Sequence, residues 1–152
     1  MAFAFRLQRL LRLRQQEERL CQLHLARVTQ AWQAARRELT RRQTTLSDLE
    51  ERFAQASARL DGWLDPASLA LFSRRQHRLR QECAEAVVRV NEAAARVAQA
   101  RQKVVAAAQR RRTLERLRTK AWLAYQQAEL AQEHKTLDEV ATVWHYRHQE
   151  LG

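Results

Sequence analysis

The sequence predicts an all-α fold, a long antiparallel two-helix coiled-coil hairpin, and three observations predict it. Turn formers are nearly absent: in 152 residues Gly occurs only at Gly62 and Gly152, and Pro only at Pro66. Sheets and loop-rich folds draw heavily on both residues. Ala, Leu, Arg, Gln and Glu dominate instead, and these are strong helix formers. Apolar residues also recur in alternating steps of four and three, the heptad signature of helices packed along a seam. One internal Gly and one Pro, close together, leave room for one sharp reversal. The chain therefore reads as a single coiled-coil domain over residues 1–152.

The first helix is expected over residues 3–61. From Cys21 its seam runs Leu25, Val28, Trp32, Ala35, Leu39, Arg42, Leu46, Leu49, Phe53, Ala56, Leu60 and Trp63. Toward the N-terminus the same rhythm passes through Glu18, Arg14, Leu11, Leu7 and Phe3, where two polar members weaken it. Arg42 is the one polar member beyond Cys21. A snorkelling stem or a pair with a second-helix acid such as Glu85 would accommodate it. At about 1.5 Å per residue this helix is a rod of roughly 88 Å.

The reversal is expected at residues 62–65. Gly62 can adopt the left-handed conformation that ends a helix. Asp65 suits the N-cap and Pro66 the first helical position after it. Trp63 and Leu64 would plug the tip.

The second helix is expected over residues 66–148. Its seam reads Leu69, Phe72, Gln76, Leu79, Cys83, Ala86, Val90, Ala93, Val97, Ala100, Val104 and Ala107. Small knobs permit close approach, with the larger Leu, Trp and Phe of helix one filling across. After Leu114 the apolar phase moves to Leu117, Ala121, Ala124 and Ala128, a pattern expected of a stutter. Helix two outlasts helix one, so its end should project past the N-terminus. That end carries Leu130, Leu137, Val140, Trp144, Tyr146 and Leu151, an apolar stripe that either binds a partner or curls back.

The formal charge is +11, which favours acidic partners: nucleic acid, anionic membrane or an acidic protein surface. An Arg excess over Lys can also reflect a GC-rich genome. The reversal sets Cys21 opposite Ala108 and Cys83 opposite Leu46, too far apart for a disulfide. Two unpaired thiols on the seam suit small buried hydrophobes in a reducing cytoplasm. No stretch approaches the about 20 apolar residues of a membrane span. The Arg-rich start could serve as a transit peptide or a membrane-surface helix, but its pattern continues unbroken into the long helix.

Chemistry is not expected. A two-helix rod offers no concave, partly dry site for catalysis or for a small-molecule substrate. No phosphate loop, nucleophile elbow or Cys-x-x-Cys occurs. His145 and His148 share a face, but no further ligand stands beside them. No catalytic residue, cofactor or metal site is assigned.

The charges cluster instead. Arg6, Arg9, Arg12 and Arg14 form one group, and Arg110, Arg111, Arg112, Arg116, Arg118 and Lys120 another. The hairpin register brings both into one basic collar near the termini. Glu129, Glu133, Asp138 and Glu139 make the tail beyond it acidic. A third basic run, Arg74, Arg75, Arg78 and Arg80, lies near the reversal.

The termini resemble a known family. Phe3-Ala-Phe5-Arg6-Leu7-Gln8-Arg9-Leu10-Leu11, followed by Arg14 and Glu17-Glu18, is similar to the opening of the flagellar export protein FliJ family. Glu133-His-Lys135-Thr-Leu137-Asp138-Glu139-Val-Ala141 resembles that family's C-terminal Leu-Asp-Glu signature. The Ala-rich second seam and the high Arg content depart from it. The resemblance implies a non-enzymatic, cytoplasmic component of the type III export apparatus, peripherally associated with its membrane-embedded part and serving flagellar assembly and motility. It implies a central stalk that binds the hexameric export ATPase, contacts the cytoplasmic domain of the export gate and assists export chaperones. On that footing Phe3, Phe5, Arg6, Leu7, Leu10, Leu11, Arg110, Arg111, Arg112, Arg116 and Arg118 are candidates for the ATPase contact. Leu49, Phe53, Leu69, Phe72 and Leu79 are candidates for the gate contact.

A monomer is expected in isolation, since the Gly62–Pro66 break argues against one continuous parallel coil. Two alternatives stay open. One is the equivalent stalk of a virulence injectisome. The other is a basic coiled coil on nucleic acid, disfavoured because no reading motif accompanies the charge.

Overall fold

The fold follows from where the two helices can start and stop. The computed structural model describes residues 3–149. Helix α1 spans Gln8–Arg59 and helix α2 spans Pro66–Gln149. The described residues contain no strand, and the architecture is the expected all-α helical hairpin.

Helix α1 is shorter at both ends than the expected 3–61. Residues 3–5 are non-helical and residues 6–7 form a turn. Leu7 supplies no side-chain oxygen to cap the first amides. The Gln8 amide donates to the Phe5 carbonyl at 3.0 Å, and the first full helical bond runs from the Leu11 amide to the Leu7 carbonyl at 2.9 Å. The opening turn holds no acid, so Arg6 and Arg9 meet the positive end of the helix dipole.

The reversal occupies residues 60–65, slightly wider than expected. Gly62 has a φ of 81° as anticipated, but Asp61 is left-handed too, at 50°. The Trp63 amide donates to the Leu60 carbonyl at 2.9 Å. A turn with both central residues at positive φ is of the I′ kind that Asp-Gly favours. The Gly62 amide also reaches the Ser57 carbonyl at 3.0 Å, closing the end of α1. Helix α2 begins as expected, with the Leu69 amide donating to the Asp65 carbonyl at 3.0 Å. Trp63 does not plug the tip. It is 78% exposed, while Leu64 is half-buried.

The chain divides into two compact units: residues 20–105, and the residues up to Arg19 together with those from Ala106 onward. Residues 20–105 contain the reversal. Here Phe53 stacks on Phe72 with centroids 3.7 Å apart, Gln76 reaches Glu50, and Arg42 reaches Glu82. Rising numbers on α1 meet falling numbers on α2, so the pair is antiparallel. The seam positions from Cys21 to Phe53 are all at least half-buried, and Ala86, Val97 and Ala100 are fully buried. The small knobs of α2 are therefore the most deeply covered, as close helix approach requires. Beyond the Phe53–Phe72 layer the seam ends: Ala56, Leu60 and Leu69 are exposed. Cys21 and Cys83 are free thiols, half-buried on the seam.

Arg42 finds its acid one turn from the expected Glu85. Its Nη1 donates to Glu82 Oε2 at 2.6 Å and its Nε to Glu38 Oε1 at 2.8 Å. Glu82 is the acid one step before seam residue Cys83, where a long arginine from the facing helix arrives. Glu85 instead pairs with Arg89 of its own helix at 3.6 Å.

The terminal unit comprises the described residues 3–19 and 106–149. Leu11, Ala107 and Leu114 are buried there, and Arg111, Ala121 and Tyr125 are half-buried. On α2, Ala107, Arg111, Leu114, Ala121 and Tyr125 keep the heptad phase of the seam, with the intervening Arg118 exposed. The expected stutter after Leu114 is absent, and Leu117, Ala124 and Ala128 are exposed. The apolar pattern misled because two covered positions, Arg111 and Tyr125, are polar. From Gln126 to Gln149 every residue is exposed. Leu151 lies outside the described residues.

Candidate docking surface of the terminal unit

The non-helical start of the chain lies against α2. The Phe3 ring meets Trp122 edge-on at 5.1 Å and Tyr125 at 5.6 Å, and Trp122 and Tyr125 lie 5.8 Å apart. Such aromatic contacts add about 0.5–1.5 kcal/mol each beyond burial. Phe3, Glu115, Arg118, Thr119 and Trp122 line one groove. The Tyr125 hydroxyl donates to Glu129, and because ionisation would forfeit that hydrogen bond the phenol is held above its ordinary pKa.

Below this strap the acids are all engaged. Within residues 3–19 and 106–125 the acids are Glu17, Glu18 and Glu115, each half-buried. Arg14 Nη1 donates to Glu17 at 2.7 Å. Arg111 donates through Nε to Glu18 across the hairpin and through Nη1 to Glu115 at 2.6 Å. Those two acceptors raise the Arg111 pKa further, Glu18 contributing most. Arg6, Arg9, Arg12, Arg19, Arg110, Arg112, Arg116, Arg118 and Lys120 are exposed, and none forms an ion pair among the described residues. The outer surface of the collar is thus cationic without a compensating acid, and it attracts an anionic surface over about a Debye length, roughly 8 Å in physiological salt.

The collar expected from sequence is assembled in one unit, but its members differ in kind. Leu11 is 1% exposed and packs inside the seam, so it offers nothing to a partner without unfolding. Arg111 is an internal clamp. Phe3 and Phe5 are half-buried, while Leu7 and Leu10 stand at the margin of exposure. Arg6, Arg110, Arg112, Arg116 and Arg118 keep free guanidinium groups on the outside. Trp122 lies in a groove with Arg118, and Leu123 in one with Arg112, Arg116 and Lys120; neither is among the residues expected from sequence. The missing signal was the face each occupies, which depends on the true heptad phase past Leu114.

The pattern of one family, described as Flagellar FliJ protein, matches residues 3–150. The chain belongs to that family. The FliJ family comprises non-catalytic components of the flagellar export apparatus, so the chain is an export-related flagellar component. No curated protein and no solved structure matches it. Among the described residues of this FliJ-family chain, no helix is long and apolar enough to cross a membrane. Among the described residues no group of three His, Cys, Asp or Glu could hold a metal ion.

The five residues suggested for the gate contact sit in the other unit of this FliJ-family chain. Phe53 and Phe72 face one another, and Leu49 and Leu79 are half-buried. Leu69 is the exposed member, at 48%. Leu71, at 70%, lies in a groove with Arg74, Arg75 and Arg78, an outer-face position that a seam-based reading passes over.

Proposed function

We propose that this FliJ-family chain is the stalk-like component that binds the hexameric export ATPase through its terminal unit. The export gate's cytoplasmic domain and export chaperones are its further partners at the cytoplasmic face of the membrane. The observation that carries this reading is the cationic collar. Three acids are committed to two internal arginines, and nine exposed cations remain for an acidic lining. The Phe3 strap holds the start of the chain beside them, giving the collar an apolar rim. A rim charge of this kind mainly accelerates association and sets specificity.

The test is co-purification with a flagellar export ATPase, reading complex formation and ATP hydrolysis together. Binding with altered hydrolysis is expected. Replacing Arg110, Arg112 and Arg116 by Glu should abolish binding while circular dichroism stays helical, because none of the three supports the fold. Undiminished binding by that variant removes the collar from the contact. Absence of any complex with the unaltered chain removes the stalk reading.

A further inference from the structure

Past the Phe53–Phe72 layer the reversal leaves an apolar end uncovered. Trp63, 78% exposed, is the most exposed large apolar side chain among the described residues, and Leu60, Leu69 and Leu71 are exposed with it. Leu69 and Leu71 lie within about 8 Å of the start of α2 at Pro66. Arg74, Arg75 and Arg78 follow about 12–18 Å from that start. All three are exposed, and they share a groove with Leu71. Side chains on a helix lean toward its N-terminus. On α2 that direction is toward the reversal, so these arginines lean back over Leu71. On α1 it is away from the reversal, so Arg59, the last residue of α1, leans toward the same cations.

Between Ala56 and Arg80 the acids are Asp61 and Asp65, against Arg59, Arg74, Arg75, Arg78 and Arg80. On the facing stretch of α1, Glu50 is held by Gln76 and Arg80, while Asp48 and Glu51 flank it beside Arg52. Arg78 approaches Glu82 at 3.5 Å. Arg59, Arg74 and Arg75 form no ion pair among the described residues.

We propose that the reversal anchors the chain reversibly at the surface of an anionic lipid bilayer. Trp63, Leu60 and Leu71 enter the boundary between headgroups and acyl chains, and Arg59, Arg74 and Arg75 hold lipid phosphates. The order along the axis decides for lipid. Apolar residues at the apex with cations set back behind them repeat the order of acyl boundary and phosphate, and interfacial segments bury their apolar residues to about 5–10 Å. An indole suits that layer, with an apolar body and a polar N–H. A nucleic acid would engage the arginines and leave the indole and leucines in water. A partner helix would need an apolar stripe running along α2, whereas Leu71 gives way to Arg74, Arg75 and Arg78. Asp61 and Asp65 oppose insertion, which keeps the anchor reversible. The inference is separate from the ATPase reading, which uses the other unit.

The experiment mixes the full chain with vesicles of phosphatidylcholine alone or with phosphatidylglycerol, their acyl chains brominated to quench nearby indoles. Quenching is expected with the anionic vesicles and should vanish in Trp63→Ala. Arg74→Glu with Arg75→Glu should weaken vesicle affinity about tenfold or more, since each cation near an anionic surface contributes about 1 kcal/mol. Asp61→Asn with Asp65→Asn should strengthen it. Reversing Arg110, Arg112 and Arg116 to Glu should leave the Trp63 quenching in place. Quenching that survives Trp63→Ala overturns the proposal, as does equal binding to phosphatidylcholine alone. Trp63 buried by the gate's cytoplasmic domain, with no quenching by vesicles, overturns it in favour of a protein. Co-purification with the ATPase should be unchanged by Trp63→Ala. Its loss would assign the reversal to the ATPase and overturn the lipid reading.

Discussion

Arg42 on α1 and Glu82 on α2 meet at 2.6 Å across the seam, with Glu38 holding the same guanidinium from the other side at 2.8 Å. All three side chains remain part exposed, so solvent screens the attraction and the pair adds little stability. We expect it to act on register instead, since a slip leaves an arginine facing the apolar seam. Arg42→Leu should therefore change unfolding free energy by less than about 1 kcal/mol. Sedimentation of the same variant should reveal dimers or mixed species. A loss of about 3 kcal/mol in chemical denaturation would instead make the pair a main stabiliser.

The left-handed Asp61 and Gly62 make the turn a site of opposite substitutions. Asp61→Gly relieves a side chain at a φ of 50° and should leave stability unchanged or raise it by about 0.5 kcal/mol, the freed strain being offset by added unfolded-state entropy. Gly62→Ala meets no atom within 4 Å of the new Cβ, so its cost is backbone strain alone, about 1–2 kcal/mol. Thermal unfolding followed by circular dichroism checks both signs.

Phe3 anchors the start of the chain to Trp122 and Tyr125. Phe3→Ala should cost about 1–2 kcal/mol locally and leave the helices intact. Trp fluorescence should shift to the red as Trp122 gains solvent. Amide exchange should rise in residues 3–11 and stay constant between Cys21 and Phe53. An unmoved spectrum would mean that the strap does not shield the indole.

Hydrogen bonds from Gln76 and then Arg80 hold the Glu50 carboxyl below its ordinary pKa. The lowered folded value makes its contribution complete above the ordinary carboxylate range. It is lost as pH falls through the lower, folded value. Glu50→Gln should flatten the acid limb of the stability-versus-pH curve and leave the neutral plateau nearly unchanged, because the group is solvent-exposed. Denaturation midpoints collected from neutral to acid pH measure this, and identical acid limbs would assign no linkage to Glu50.

Two helices and one reversal were legible because they depend on local chemistry. The near absence of Gly and Pro, the heptad steps from Cys21 to Phe53, and Asp65-Pro66 as a helix start all act within a few residues of chain. The basic collar was legible too, since a hairpin about one turn maps each cluster onto the other. The faces were not. Past Leu114 the apolar letters suggested a new phase, while the packed structure keeps the old one by covering Arg111 and Tyr125. Which helix-two acid met Arg42 was equally invisible, because Glu82 and Glu85 differ by one turn and only the packed register chooses between them.

Sequence by itself determined that this FliJ-family chain is two long helices with an arginine-rich end, because propensity and periodicity are properties of neighbouring residues. Tertiary structure decided which arginines brace the fold and which face outward. Arg111 finds the half-buried Glu18 of the facing helix and becomes an internal clamp, while Arg112, Arg116 and Lys120 remain outside. That division depends on the phase and register with which one helix covers the other, and only packing sets those.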